Sequence, residues 1–375
     1  MKKTIFCCTF ALASVQTWAG TPLWMRDVQI SPNGNEIAFC YKGDIYKVPV
    51  NGGEAIQLTT QESYESNPIW SPDGKSLAFA SDRNGNFDVF IMPSSGGSAR
   101  RLTSHSAKEI PSAFTPDGRY VLFSAAIQDP ATSALFPKGS LSELYRISTN
   151  GGRTEQVLGT PAEMVCFNKN GNSFLYQDHK GTESEWRKHH TSSVTRDIWL
   201  YDSKTRQHTN LTNREGEDRN AVFSPDNSQV YFLSERNGGS FNVYSFPTNQ
   251  PEDIKPITSF KTHPVRFLSI AQNGLLCYTY DGEIYTQKER EKAKKVNISL
   301  IRDDENIPTE LLYTSGATSA TPSPDGKQVA FIVRGEVFVT SADYGTTKQI
   351  THTTEAERGL SFAPDNRSLA PKEKS

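Results

Sequence analysis

The chain has 375 residues, of which 22% are charged and 35% hydrophobic, and its formal net charge is −2. That balance is too apolar for a disordered chain and ordinary for a globular one. With acids and bases nearly equal, nothing points to nucleic acid or a membrane surface as partner.

In chain order, residues 1–19 read first as a secretory signal peptide. Lys2 and Lys3 form its basic start, Ile5 to Val15 its apolar core, and Thr17-Trp18-Ala19 a small-x-small cleavage site. The apolar run is too short to anchor in a bilayer. Cys7 and Cys8 lie inside that run, well before the small residues, which argues against lipid attachment. A periplasmic or secreted location is therefore expected. Cys40, Cys166 and Cys277 remain after cleavage. An odd number, each in a different unit of the chain, makes no disulfide framework and reads as buried thiols.

From residue 31 onward one turn keeps returning. Trp70-Ser71-Pro72-Asp73-Gly74 leads into Leu77-Ala78-Phe79, and Phe114-Thr115-Pro116-Asp117-Gly118 into Val121-Leu122-Phe123. Phe223-Ser224-Pro225-Asp226-Asn227 and Ser323-Pro324-Asp325-Gly326 do the same, with weaker copies at Ser31, Asn168, Gln272 and Ala363. Proline presets φ for a tight turn, Asp bonds the local backbone, and Gly takes the positive φ that closes it. A hairpin follows at Asn84-Gly85 and Asn237-Gly238. Next come a strand of the form Asp88-Val89-Phe90, a paired-glycine turn such as Gly96-Gly97, and a closing Leu102-Thr103.

Four short strands recurring every 40 to 56 residues are the period of a propeller blade. A two-sheet sandwich has no reason to repeat one turn. The fold class expected is all-β: a six-bladed β-propeller of four-stranded antiparallel blades over 20–300. Residues 301–375 are expected to hold a linker and the truncated start of a second propeller, since the last unit stops at Pro371 to Ser375 where an aromatic strand is due. The charged residues 287–312 read as a crossing between the two.

Two insertions interrupt the repeat, Ala125 to Ser140 and Asp178 to Arg196, and each reads as cover for a blade edge. His189-His190 in the second suggests a metal, but neighbours on an extended chain point opposite ways, so no metal and no cofactor is expected. No Gly-x-Ser-x-Gly, His-Glu-x-x-His or phosphate-binding glycine loop is present.

The Ser-Pro-Asp-Gly…Ala-Phe…Asp-Ile-Tyr…Gly-Gly…Leu-Thr repeat resembles the propellers of TolB and of the tricorn protease family. Trp186-Arg187-Lys188-His189-His190 followed by Arg196-Asp197-Ile198-Trp199, and Gln328-Val329-Ala330-Phe331 with Arg334-Gly335-Glu336-Val337-Phe338, favour bacterial tricorn homologues. That resemblance implies the N-terminal, non-catalytic part of a serine peptidase, whose propellers channel or filter peptides. Its catalytic region has no counterpart in this chain. A propeller's first strands line its channel. Residues five or six places before each turn proline are therefore the channel candidates: Arg26, Asp27, Ser66, Asn67, Glu163, Arg219 and Asn220. The implied partners are peptides or proteins and the missing peptidase region. Two alternatives remain open, a TolB-like interaction module without peptidase function and the propeller of a prolyl-oligopeptidase-like enzyme.

Overall fold

The structure is a computed structural model describing residues 22–127, 141–181, 192–236, 240–300, 315–351 and 356–371. The segment 1–19 read as a signal peptide, most of the first insertion and the His189-His190 pair lie outside the described residues.

Every described element is a strand. The first sheet is β1 (Arg26–Ile30), β2 (Glu36–Tyr41), β3 (Asp44–Pro49) and β4 (Gly53–Gln57). The second is β5 (Glu65–Trp70), β6 (Ser76–Ser81), β7 (Asp88–Pro93) and β8 (Arg100–Arg101), and the third β9 (Glu109–Phe114), β10 (Tyr120–Ala125), β11 (Glu143–Ser148) and β12 (Glu155–Leu158). The fourth is β13 (Glu163–Phe167), β14 (Ser173–Gln177), β15 (Ile198–Asp202) and β16 (Gln207–Asn210). The fifth is β17 (Asp218–Phe223), β18 (Gln229–Ser234), β19 (Asn242–Pro247) and β20 (Lys255–Pro256), and the sixth β21 (Arg266–Ile270), β22 (Leu276–Tyr280), β23 (Glu283–Gln287) and β24 (Lys294–Lys295). All six run antiparallel in sequence order. First strands pack side by side in turn, β1, β5, β9, β13, β17 and β21, and β21 returns to β1, so the ring closes. This is the all-β propeller that the repeat predicts.

Each recurring letter of the repeat has a physical job. Ser71 Oγ donates to Asp73 Oδ1 at 2.6 Å and accepts from Ser76 N at 2.9 Å, while Asp73 Oδ1 accepts from Lys75 N at 3.0 Å. The same staple forms at Thr115–Asp117, Ser224–Asp226 and Ser323–Asp325. Bonds from Thr115 and Ser224 draw the Asp117 and Asp226 carboxyls down to about 2. The strand aromatics meet as cross-strand pairs in register. Phe39 faces Tyr46 at 5.7 Å between ring centres, Phe79 faces Phe90 at 5.9 Å, and Phe123 faces Tyr145 at 5.8 Å. The closing threonine caps the third strand: Ile45 N donates to Thr59 Oγ1, Val89 N to Thr103 Oγ1 and Ile198 N to Thr212 Oγ1, each at 2.9 Å.

The charged stretch read as a crossing is otherwise disposed up to Leu300. Gln287 ends β23, and Lys294–Lys295 is the fourth strand of the sixth sheet. An outermost strand is wetted on its outside, so its lysines are exposed and lose no solvation. β25 (Ile298–Leu300) then joins the first sheet, running parallel to β4.

Residues Asp303–Ser375 form a second compact unit, separate from Met1–Arg302. Its described strands are a four-stranded sheet, β26 (Ala317–Pro322), β27 (Gln328–Val333), β28 (Glu336–Ser341) and β29 (Thr347–Gln349), and the pair β30 (Leu360–Phe362) and β31 (Leu369–Pro371). Val337 of β28 is 1% exposed. Phe331 and Phe338 stack on each other but are only half-buried, as is Phe362.

That contrast has a measurable consequence. Phe79 is fully buried, and Phe79→Ala is expected to cost about 3–5 kcal/mol. The equivalent Phe331→Ala is expected to cost less than half as much, because Phe331 already gives part of its surface to water. Urea titration of the two variants checks this, and equal losses would mean that the second unit is packed as tightly as the ring.

Candidate functional site: the channel of the ring

All six first strands carry a β-bulge near one common place; that of β9 falls at Ser112, between Pro111 and Ala113, and the other five share one form. In those five the register shifts between Arg26/Gln29, Ser66/Ile69, Glu163/Cys166, Arg219/Val222 and Arg266/Ser269. The bulged residues hold a left-handed backbone: Asp27 (φ 50), Asn67 (φ 50), Met164 (φ 50), Asn220 (φ 53) and Phe267 (φ 56). Asp and Asn tolerate this conformation, whereas for Met and Phe it is a strained one. A bulge re-aims its side chain, and here the residues converge. Together with Ser112 of β9 they line a constriction of about 30 Å³ on the axis of the ring. That is room for about one water molecule.

The ends of the channel differ. Where the first strands finish, a mouth of about 630 Å³ is lined by Ile69, Trp70, Phe114, Phe167, Phe223 and Ile270, with the turn prolines Pro32, Pro72, Pro116 and Pro225 around it. Where those strands begin, buried acids gather: Glu65, Glu109 and Asp218 are each at most 1% exposed. Between the fourth and fifth sheets the acids bind cations in a chain. His179 Nδ1 lies 2.6 Å from Glu163 Oε1, Arg196 Nη1 lies 3.1 Å from Glu217 Oε1, and Arg219 Nη1 lies 3.5 Å from that same oxygen. Burial works to raise the Glu163 carboxyl, but the bond from His179 and the charges of His179 and Arg196 outweigh it and hold it low. The same bond raises His179. The described ends of the second insertion, Asp178 to Gly181 and Ser192 to Arg196, thus supply His179 and Arg196 to this seam.

Of the seven candidates, the structure brings Asp27, Asn67 and Asn220 to the constriction. Ser66 is buried, and Arg219 lies 4.3 Å from the Phe241 ring. Glu163 sits in the ion-pair chain. Arg26 is exposed and lines a separate pocket of about 580 Å³ with Trp24 and Lys42. Ser112, Met164 and Phe267 were not among the candidates. Met164 and Phe267 stand at the same offset before their turns as Asp27 and Asn67, so the spacing alone marks them, and selecting polar residues passed over them. Among the described residues no group of three or more His, Cys, Asp or Glu is placed to hold a metal ion. No described helix is long and apolar enough to cross a membrane.

Residues 22–293 match the profile of the tricorn protease N-terminal β-propeller domain. The chain belongs to that family. The crystal structure of the tricorn protease superposes with a TM-score of 0.64 at 19% identity, covering 90% of this chain and 32% of that one. The chain thus spans about a third of the length of that protein. The nidogen/laminin complex matches with a TM-score of 0.51 at 11% identity, over 70% of this chain and 93% of that one. At such identities the likeness shows the fold alone. TolB from Acinetobacter baumannii, at 15% identity, 84% and 76% coverage and a TM-score of 0.44, is too loose a match to separate one propeller from another. No curated protein matches the chain.

Proposed function

We propose that the ring is the non-catalytic propeller region of a periplasmic or secreted tricorn-like serine peptidase, and that it filters peptides for a catalytic region outside this chain. The observation that carries the reading is the axial constriction. All six first strands contribute to it, and five spend a left-handed bulge on doing so. A mouth of about 630 Å³, lined by both apolar residues and polar ones such as Asn168, Lys169 and Gln272, takes side chains of many kinds, while a neck of about 30 Å³ stops them. Extended peptides suit such a funnel because rims of turns and strand ends offer both apolar surface and backbone groups.

The test is photo-crosslinking with short unstructured peptides that carry a photoreactive phenylalanine analogue. Crosslinks are expected at mouth residues such as Phe114 and Phe223. Ala113→Trp, which fills the mouth, is expected to abolish them. Crosslinks confined to the outer faces of the blades, unaffected by Ala113→Trp, would overturn the reading in favour of an interaction module.

A further inference from the structure

Five of the six seams in the ring are bridged by the chain itself, because the fourth strand of one sheet runs on into the first strand of the next. The seam between the sixth and first sheets has no such bridge and must be held by non-covalent contact. We propose that residues 296–300 are a latch on this seam and that Gly52 is the residue that lets it seat.

The geometry is specific. Gly53 N donates to Asn297 O at 2.9 Å, and the parallel register then pairs Ile298 with Gly53, Ser299 with Glu54 and Leu300 with Ala55. Val296 and Ile298 are 3% and 5% exposed, and they join one apolar cluster with Val28 and Ala55 of the first sheet and Cys277 and Ile284 of the sixth. The latch lies beyond the segment that the family profile matches, which ends at residue 293.

Three paired-glycine turns make a built-in comparison. Gly52, Gly96 and Gly151 have nearly the same backbone, with φ of 88, 88 and 85°. A methyl group therefore brings the same backbone strain at each. Its surroundings differ. A Cβ at Gly52 would stand 2.4 Å from Asn297 O, a backbone atom that only a displaced latch can clear. At Gly96 the nearest atom is Leu58 Cδ2 at 3.6 Å, and at Gly151 it is Arg100 Nη1 at 3.5 Å, ordinary contacts. Gly52→Ala unseats the latch, and Gly96→Ala reports the strain without it.

The chain also carries its own reporters. Cys277 is fully buried in the sixth–first seam, with its thiol raised by that burial. Cys166 packs against the core shared by the fourth and fifth sheets.

The experiment is maleimide labelling of the full chain, read residue by residue by mass spectrometry. Cys277 is expected to react about tenfold faster in Gly52→Ala than in Gly96→Ala, while Cys166 reacts alike in both, because only one seam opens locally. In a Glu54→Cys/Ser299→Cys variant the register partners should join on mild oxidation, as neighbouring strands fall within disulfide reach. The crosslink should return Cys277 to slow labelling when Gly52→Ala is added. Should Gly52→Ala not fold, Ile298→Asn removes the apolar anchor with the turn intact and carries the same expectation. Equal Cys277 rates in the latch variant and Gly96→Ala, or no crosslink between positions 54 and 299, would overturn the latch. Neither result bears on whether the mouth takes peptides.

Discussion

Replacing Arg83 by methionine is expected to destabilise the ring by about 3 kcal/mol, more than any surface ion pair is worth. Glu65 is fully buried at the start of β5, and its Oε1 lies 3.0 Å from Arg83 Nη2. Arg83 Nε also donates to Ser81 Oγ at 2.9 Å, and the guanidinium stands 4.7 Å from the Phe90 ring. Methionine keeps the packing over that ring but leaves a carboxylate dry and without its cation. Breaking such a pair costs far more than the intact pair contributes, because the remaining charge keeps its full desolvation penalty. Glu65→Gln in the same chain should therefore recover most of the loss. Urea titrations of the single and double variants test this. A loss under about 1 kcal/mol for Arg83→Met would show that the pair behaves as a solvated one. The fifth sheet repeats the device, with Arg236 Nη2 at 2.9 Å from Asp218 Oδ2 and Nε at 2.8 Å from Ser234 Oγ.

Glu109→Gln is expected to stabilise the protein at pH 8 by about 2 kcal/mol and to leave it unchanged at pH 4. Glu109 holds the place that Glu65 holds one sheet earlier, but its sheet has Ile127 where Arg83 would stand. Among the described residues no cation pairs with it, and burial pushes its carboxyl up to about 7, against a bond from Thr103 and with the help of neighbouring Asp88. Asp88 is itself fully buried and lies 2.7 Å from Arg101 Nη2. The folded value is raised above the unfolded one, so between about 4.5 and 7 the native state keeps a proton that the unfolded chain releases. Stability from this group falls as pH rises through that window and is level on either side. The shift corresponds to at most about 3 kcal/mol, and the amide removes the dependence. Thermal unfolding at pH 4, 6 and 8 decides it. A wild-type chain whose stability rises between pH 5 and 8, with Glu109→Gln following in parallel, would sink the assignment.

These two acids also show where reading the sequence stops. Ser81-Asp82-Arg83-Asn84-Gly85 reads as a hairpin signal, and the hairpin is there, yet the arginine inside it is a clamp on a residue of another strand. Nothing local announces that, because Glu65 and Arg83 meet only once β5 and β6 are paired. The channel repeats the lesson at larger scale. The offset from each turn locates the constriction in five sheets, since one repeat gives one bulge. It does not tell which side chains are polar there, and so Met164 and Phe267 were missed.

The blade is legible in the order of the amino acids. Its turn staple, its cross-strand aromatic pair and its threonine cap are each satisfied by residues of one and the same unit, so a repeat of some 40 to 56 residues carries them whole. The neck, the buried ion-pair chain at the fourth and fifth sheets, and the return of Ile298–Leu300 to β4 emerge only on folding. Each of these joins residues from different blades. Their separations are set by the closure of the whole ring, and no local pattern of apolar and polar residues encodes a distance that only closure creates.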